Sequence, residues 1–166
     1  MDIKVLGIDP GLAATGIGVV AGDGKNIHHY AFGSITTSST ETSAFRLETI
    51  YSRLKALFQN EKPDLLVVED VFSLDKYPKS GITLGKVCGV ILLAGQQEGI
   101  RAVEIPVREA KQVLTGNGGA GKAQLEKAVR EALGLQTPIR PFHASDALGL
   151  ALIGFFRYGR GQFKIT

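Results

Sequence analysis

The sequence predicts an α/β domain: a central five-stranded mixed sheet flanked by helices. Three observations predict it. Residues 3–20 read as a strand, a tight turn and a second strand. The run Leu65-Leu66-Val67-Val68 is wholly apolar, as expected of a central strand covered on both faces. The segments around and after that run carry apolar residues at helical spacing. Short apolar strands alternating with such helices make a sheet layered between helices.

In chain order, the opening strand is apolar until Asp9, so it is buried, and an isolated charge deep inside would be expensive. Pro10-Gly11 then turns the chain and leaves Asp9 at the lip of the sheet. A carboxylate there can bind a metal, receive a donor, act as a base or simply cap the turn. This stretch alone leaves all four open. Gly22-Asp23-Gly24-Lys25 is a turn signal, and residues 26–36 read as a third strand. His28 and His29 are adjacent and face opposite sides of it, which suits surface residues better than a ligand pair. After a Ser/Thr-rich loop, Leu47, Ile50, Leu54 and Leu57 predict an amphipathic helix over 43–60, broken by Pro63-Asp64. The apolar strand that follows ends in Glu69-Asp70. A second buried strand thus delivers an acid at its C-terminal end, where ligand sites of open α/β sheets gather.

Residues 71–79 form a loop with two aromatics, Phe72 and Tyr77, beside Lys76 and Lys79. Phe72 either tucks into the core or stays exposed. Residues 80–98 read as a helix in which Gly81, Gly85 and Gly89 recur every four positions. Each costs a helix about 1 kcal/mol against Ala, so that face packs closely on a neighbour or forms a subunit contact. Residues 101–105 make a fifth strand, and Pro106 suits the first turn of a helix over 107–114. Gly116-Asn117-Gly118-Gly119-Ala120-Gly121 predicts a flexible loop of small residues able to approach a phosphate backbone. It lacks the Gly-Lys-Ser/Thr ending of a nucleotide-binding P-loop. Lys122, Lys127 and Arg130 lie on an amphipathic helix reaching Leu133, where they are a solvated face or a binding surface. The final helix begins at Pro141-Phe142-His143-Ala144-Ser145-Asp146 and is mostly apolar through Phe156. His143 and Asp146 are three apart and share a face near its N-terminus.

Length and composition narrow the class. A chain of 166 residues with 44% hydrophobic and 21% charged residues suits one domain, residues 1–166, with an ordinary core. No apolar run reaches the roughly 18 residues of a membrane span, and no export signal opens the chain. The lone Cys88 excludes an internal disulfide and fits a reducing, cytoplasmic setting. The net charge is only +3, but residues 1–75 hold six Lys/Arg and ten Asp/Glu whereas residues 76–166 hold thirteen and six. Carboxylates come from one part and cations from the other, which suits a metal site beside a polyanion surface.

Asp9, Glu69, His143 and Asp146 come from three elements, each at an element end. Such acid ligands suit Mg²⁺, with Mn²⁺ as the alternative that the imidazole favours. Two such ions can stabilise both the attacking water and the leaving oxygen in phosphodiester hydrolysis. No Ser-His-Asp or Cys-His arrangement competes with that chemistry.

The sequence also resembles a known family, the crossover junction endodeoxyribonucleases (RuvC), bacterial Holliday junction resolvases of the ribonuclease H-like superfamily. The resemblance rests on Gly7-Ile8-Asp9-Pro10-Gly11 with Thr15-Gly16, Glu69 with Val71-Phe72, Leu84-Gly85, Gln112-Val113, Lys122 and His143-Ala144-Ser145-Asp146-Ala147-Leu148, in this order over nearly the whole chain. It implies a ribonuclease H-like fold and a homodimer that cuts two opposing strands of a four-way DNA junction symmetrically during recombination and repair. It also implies two Mg²⁺ ions per site and work alongside the RuvA–RuvB branch-migration complex. The family's metal positions fall on Asp9, Glu69, His143 and Asp146, where many members have Asp in place of His143. Its catalytic-side lysines fall on Lys111 and Lys122, and its junction-contacting aromatic on Phe72, with Lys76 and Lys79 beside it. Residues 73–87 depart from the Asn-centred pattern common after that Phe, and Cys88 replaces a usual Arg.

Two other readings compete with this one. Gly7-Ile8-Asp9-Pro10-Gly11 also resembles the first phosphate loop of sugar kinases and actin-like ATPases, but those need a second lobe with another Asp-x-Gly turn, which this length does not hold. A binding-only relative would have lost coordinating side chains, and all four are present.

Overall fold

The computed structural model describes residues 2–70 and 78–158. In chain order it contains β1 (Ile3–Asp9), β2 (Ala14–Gly22), β3 (Ile27–Thr36), α1 (Ser43–Glu61), β4 (Leu65–Asp70), α2 (Pro78–Gln97), β5 (Arg101–Pro106), α3 (Val107–Thr115), α4 (Lys122–Ala132) and α5 (Phe142–Tyr158). The five strands form one sheet in the order β3-β2-β1-β4-β5. The first three run antiparallel, while β4 and β5 run parallel to β1, so the predicted mixed sheet is present.

Each face of the sheet carries a separate core, and strand alternation assigns the residues. Val5, Leu65 and Val67 point into a core built with α3, α4 and α5, including Leu125, Val129, Leu148 and Phe155. Leu6, Ile8, Leu66 and Val68 point the other way, onto α1 and α2 through Ile50, Leu54, Phe58, Val87 and Ile91. This explains why 65–68 has no polar position: β4 is covered on both sides. By contrast β3 is a sheet edge and mostly exposed. His28 lies there at the surface, near Asp2 and Asp23, as expected of a solvated residue.

What positions the site is the depth to which α5 sinks into the sheet. A Cβ on Gly7 would stand 2.1 Å from the carbonyl oxygen of Ala147, and one on Gly16 only 2.0 Å from that of His143. Gly18, paired with Gly7 across β1 and β2, likewise faces the backbone of Leu148. Strand and helix backbones therefore touch with no side chain between them, which glycine alone permits. The first turn of α5 is thereby pressed against the end of β1.

Several boundaries differ from the sequence expectations. Helix α2 begins at Pro78, and Pro106 is both the last residue of β5 and the N-cap of α3. On α2, Gly85 and Gly89 have nothing within 4 Å of a built Cβ among the described residues. Ile82 and Leu93 on the same helix are 63% and 54% exposed. The glycine-rich loop after α3 is held more firmly than a flexible linker: Gln112 accepts from Gly118 N and donates to the Gly116 carbonyl, and Asn117 accepts from Gly119 N. None of the described helices is long and apolar enough to cross a membrane.

Candidate active site

The parallel pairing of β1 with β4 aligns Ile8 with Val68, so the next residues along each strand, Asp9 and Glu69, emerge side by side. Helix α5 brings His143 and Asp146 to the same place on its first turn. Asp9, Glu69, His143 and Asp146 line one recess of about 190 Å³ together with Lys111 of α3, Lys122 at the start of α4, and Val107. The acids and the imidazole at the element ends, and the two lysines that the family resemblance singles out, thus line one cavity.

The electrostatics follow from crowding three carboxyl groups into a partly dry site. Burial pushes the Asp9 carboxyl up to about 6, and the nearby Asp146 charge adds to this; its hydrogen bond with Glu69 and the charge of Lys122 pull the other way. Glu69 rises further, to about 8, through burial, through donating its proton to Asp9 and through the Asp9 charge, with Lys111 and Lys122 opposing. Asp146 is raised as well, chiefly by burial. One proton is therefore shared between Asp9 and Glu69 near neutral pH. His143 Nδ1 stands 2.6 Å from Asp9 Oδ2. The imidazole is 42% exposed, whereas the Asp9 side chain is 10% exposed, and burial is the largest influence on the Asp9 carboxyl.

Such a set of acids requires positive charge. Two lysines supply part of it, and a hard divalent cation would supply the rest, because carboxylate oxygens are its preferred donors. Among the described residues, no three acid or imidazole side chains already stand in an ion-gripping arrangement; Asp9, Glu69 and His143 are instead satisfied by one another. The donor set fits a divalent ion, and those mutual hydrogen bonds are what binding would replace. A protein nucleophile is poorly served here. Thr15 and Ser145, both fully buried, donate to the Gly11 and Phe142 carbonyls, and burial pushes the Cys88 thiol up to about 12.

The remaining sequence-predicted residues divide in two. Lys79 is exposed on the first turn of α2 and does not line the recess. Phe72 and Lys76 lie outside the described residues. Sequence reasoning missed Val107, which forms part of the wall, and Glu126, a carboxylate only 5% exposed on α4. No periodicity could have revealed Glu126 as special, since charged helix residues normally face solvent. The glycines at 7, 16 and 18 were the available signal for the depth of α5.

A mixed five-stranded sheet with acids at the ends of adjacent parallel strands and on an apposed helix defines the class: a ribonuclease H-like α/β nuclease fold. Residues 5–154 match the family described as crossover junction endodeoxyribonuclease RuvC, and the chain belongs to that family. It is 40% identical over 148 residues to the crossover junction endodeoxyribonuclease RuvC of Prosthecochloris aestuarii, covering 89% of this chain and 79% of that one. Its similarity to the protein of that name from Carboxydothermus hydrogenoformans is 37% over 157 residues, covering 95% and 98%. Among solved structures it is similar to Thermus thermophilus RuvC in complex with Holliday junction substrate, with a TM-score of 0.86 and 31% identity over 96% of this chain and 97% of that one.

Proposed function

We propose that this chain is a structure-specific endonuclease that resolves Holliday junctions, hydrolysing phosphodiesters in two opposing strands during recombination and repair. The observation that carries the reading is the single recess in which three carboxyl groups, an imidazole and two lysines meet, in a chain of this family. Asp9, Glu69, His143 and Asp146 would hold divalent metal, two Mg²⁺ ions or, as the alternative, Mn²⁺. When bound, the ions would supply an activated water and neutralise charge at the leaving oxygen.

The chain's own residues do the rest. Asp9 and Glu69 shed their shared proton to present oxygen donors. His143, hydrogen-bonded through Nδ1 to Asp9, orients that carboxylate. Lys122 opposes the negative charge that develops on the phosphate, and Lys111, across the recess on α3, anchors the strand. Phe72 with Lys76 and Lys79 would meet the junction's bases and backbone, as the family resemblance implies. The chain acts as one domain and as a homodimer, because symmetric cutting of a two-fold substrate calls for a two-fold enzyme. Exposed Ile82 and Leu93 beside the open Gly85 and Gly89 support α2 as the contact. Cooperation with RuvA and RuvB and a cytoplasmic setting complete the proposal.

The test is incubation with a synthetic four-way junction, a linear duplex and a single strand, each in Mg²⁺ and in EDTA. Paired nicks confined to the junction in Mg²⁺ are expected. Equal cutting of all three substrates, or cutting in EDTA, would overturn the proposal.

A further inference from the structure

The most unusual polar group outside the recess is Glu126. It lies on α4, is 5% exposed, and its Oε1 accepts from two donors: the backbone N–H of Ile139 at 2.9 Å and Arg130 Nε at 3.1 Å. Taking a carboxylate out of water is costly, and a single surface turn of helix could have been closed without one. Its principal partner is a main-chain amide thirteen residues away, in the segment that leads into α5.

That segment is anchored at Ile139 by two contacts with the rest of the fold and braced by a local one. The Ile139 side chain is buried in the core between sheet and helices. Its N–H goes to Glu126, and its carbonyl accepts from Arg140 Nη1 at 2.9 Å. Arg140 in turn lies over the Phe142 ring at 4.2 Å. Four residues after Ile139 comes His143, and seven after it Asp146. On the other side of the contact, Glu126 stands one helical turn from Lys122, the residue through which α4 enters the recess. One face of one helix therefore carries the lysine into the site and, a turn later, grips the chain just before the turn that bears His143 and Asp146.

We infer that Glu126 is a positioning residue of the site: through the Ile139 amide it sets the first turn of α5, and with it His143 and Asp146, in register with Lys122. The inference rests on the reading of the recess as a metal-dependent nuclease site. Catalytic and ligand groups need placement to within about half an ångström, and a hydrogen bond from a rigid helix to the adjoining backbone provides it. Arg130 neutralises the buried carboxylate and, being 25% exposed, retains water if Glu126 is removed.

Three variants test this. Glu126→Gln keeps an oxygen that accepts from Ile139 N–H, Glu126→Asp keeps the charge but withdraws it by one methylene, and Glu126→Ala removes both. Phe58→Leu, in the core on the opposite face of the sheet, serves as a control of comparable stability loss. All are compared well below their melting temperatures. Two readouts are taken: the NMR signals of the His143 ring in the metal-free protein, and single-turnover junction cleavage at saturating Mg²⁺ with junction affinity measured in EDTA. The expected result is a displaced His143 signal and at least tenfold slower cleavage for the Asp and Ala variants. The Gln variant should stay within about twofold of wild type, and affinity should be unchanged throughout. Should Glu126→Ala fail to fold, the Asp and Gln pair carries the comparison alone.

A His143 signal and cleavage rate that track melting temperature, with Phe58→Leu as impaired as Glu126→Asp, would reduce Glu126 to a fold-stabilising residue and overturn the inference. Displaced His143 signals in the Asp and Ala variants, beside a wild-type protein that cuts no junction, would leave the positioning intact and count against the nuclease reading instead.

Discussion

Replacing Glu69 by Gln should stabilise the metal-free protein while disabling it. In the folded chain the Glu69 carboxyl is raised from an ordinary 4.5 to about 8, so the native state keeps a proton that the unfolded chain releases. The sign follows from linkage: the stability this group allows is fully present below about pH 4.5 and is lost as pH rises towards 8. At about 1.4 kcal/mol per tenfold change in acidity, the loss by pH 8 has an upper bound of about 5 kcal/mol. Asp9 carries part of the same strain and the site is partly open to water, so about 2 kcal/mol is the working figure. An amide at this position avoids the loss and can still donate to Asp9. For a domain of this size that is a rise in Tm of about 4–8 °C at pH 8, shrinking towards zero near pH 4.5. Thermal melts in EDTA at the two pH values read it directly. A Tm that falls at pH 8, or a gain equal at both pH values, would refute the electrostatic account of the recess.

Three further outcomes follow from the same geometry. Lys122→Ala should lower the single-turnover cleavage rate at saturating protein by about 100-fold, the worth of one positioned charge at about 3 kcal/mol; a variant that only weakens binding, with a shallower salt dependence than wild type, would make Lys122 a phosphate anchor. Gly16→Ala forces a Cβ to within 2.0 Å of the His143 carbonyl oxygen, so α5 must lift from the sheet. About 3 kcal/mol of stability and most of the activity should go with it, whereas a normal melt and normal turnover would mean that α5 tolerates displacement. Gly85→Leu fills the open face of α2 and should shift sedimentation towards monomer; an unaltered dimer would move the contact elsewhere.

Much of the architecture was legible because burial on both faces leaves an unmistakable trace. The run 65–68 announced a central strand, and Asp9 and Glu69 announced themselves as the first polar residues after apolar strands. The pairing of those strands, and hence the contact between the two acids, depends on a parallel register that no local pattern encodes. Local pattern leaves Lys122 between a solvated face and a binding surface and says nothing of Lys111; only the family resemblance singles the two out. Their place in the recess comes from how α3 and α4 pack against α5. Glu126 was invisible for the same reason: its partner is a backbone amide, which leaves no mark in the sequence. The order of the glycine-rich loop is illegible in its own residues because much of it comes from a side chain outside the glycine run, Gln112.

The central claim is that the acids at the ends of β1 and β4 run metal-dependent junction cleavage and do little for the fold. Asp9→Asn tests it most directly, in a single-turnover assay on a four-way junction in Mg²⁺ with binding measured alongside in EDTA. The amide keeps the size of the side chain but cannot balance a cation's charge. Unchanged junction binding with cleavage reduced by at least about 100-fold is the predicted result. Cleavage by Asp9→Asn at near the wild-type rate would contradict the account.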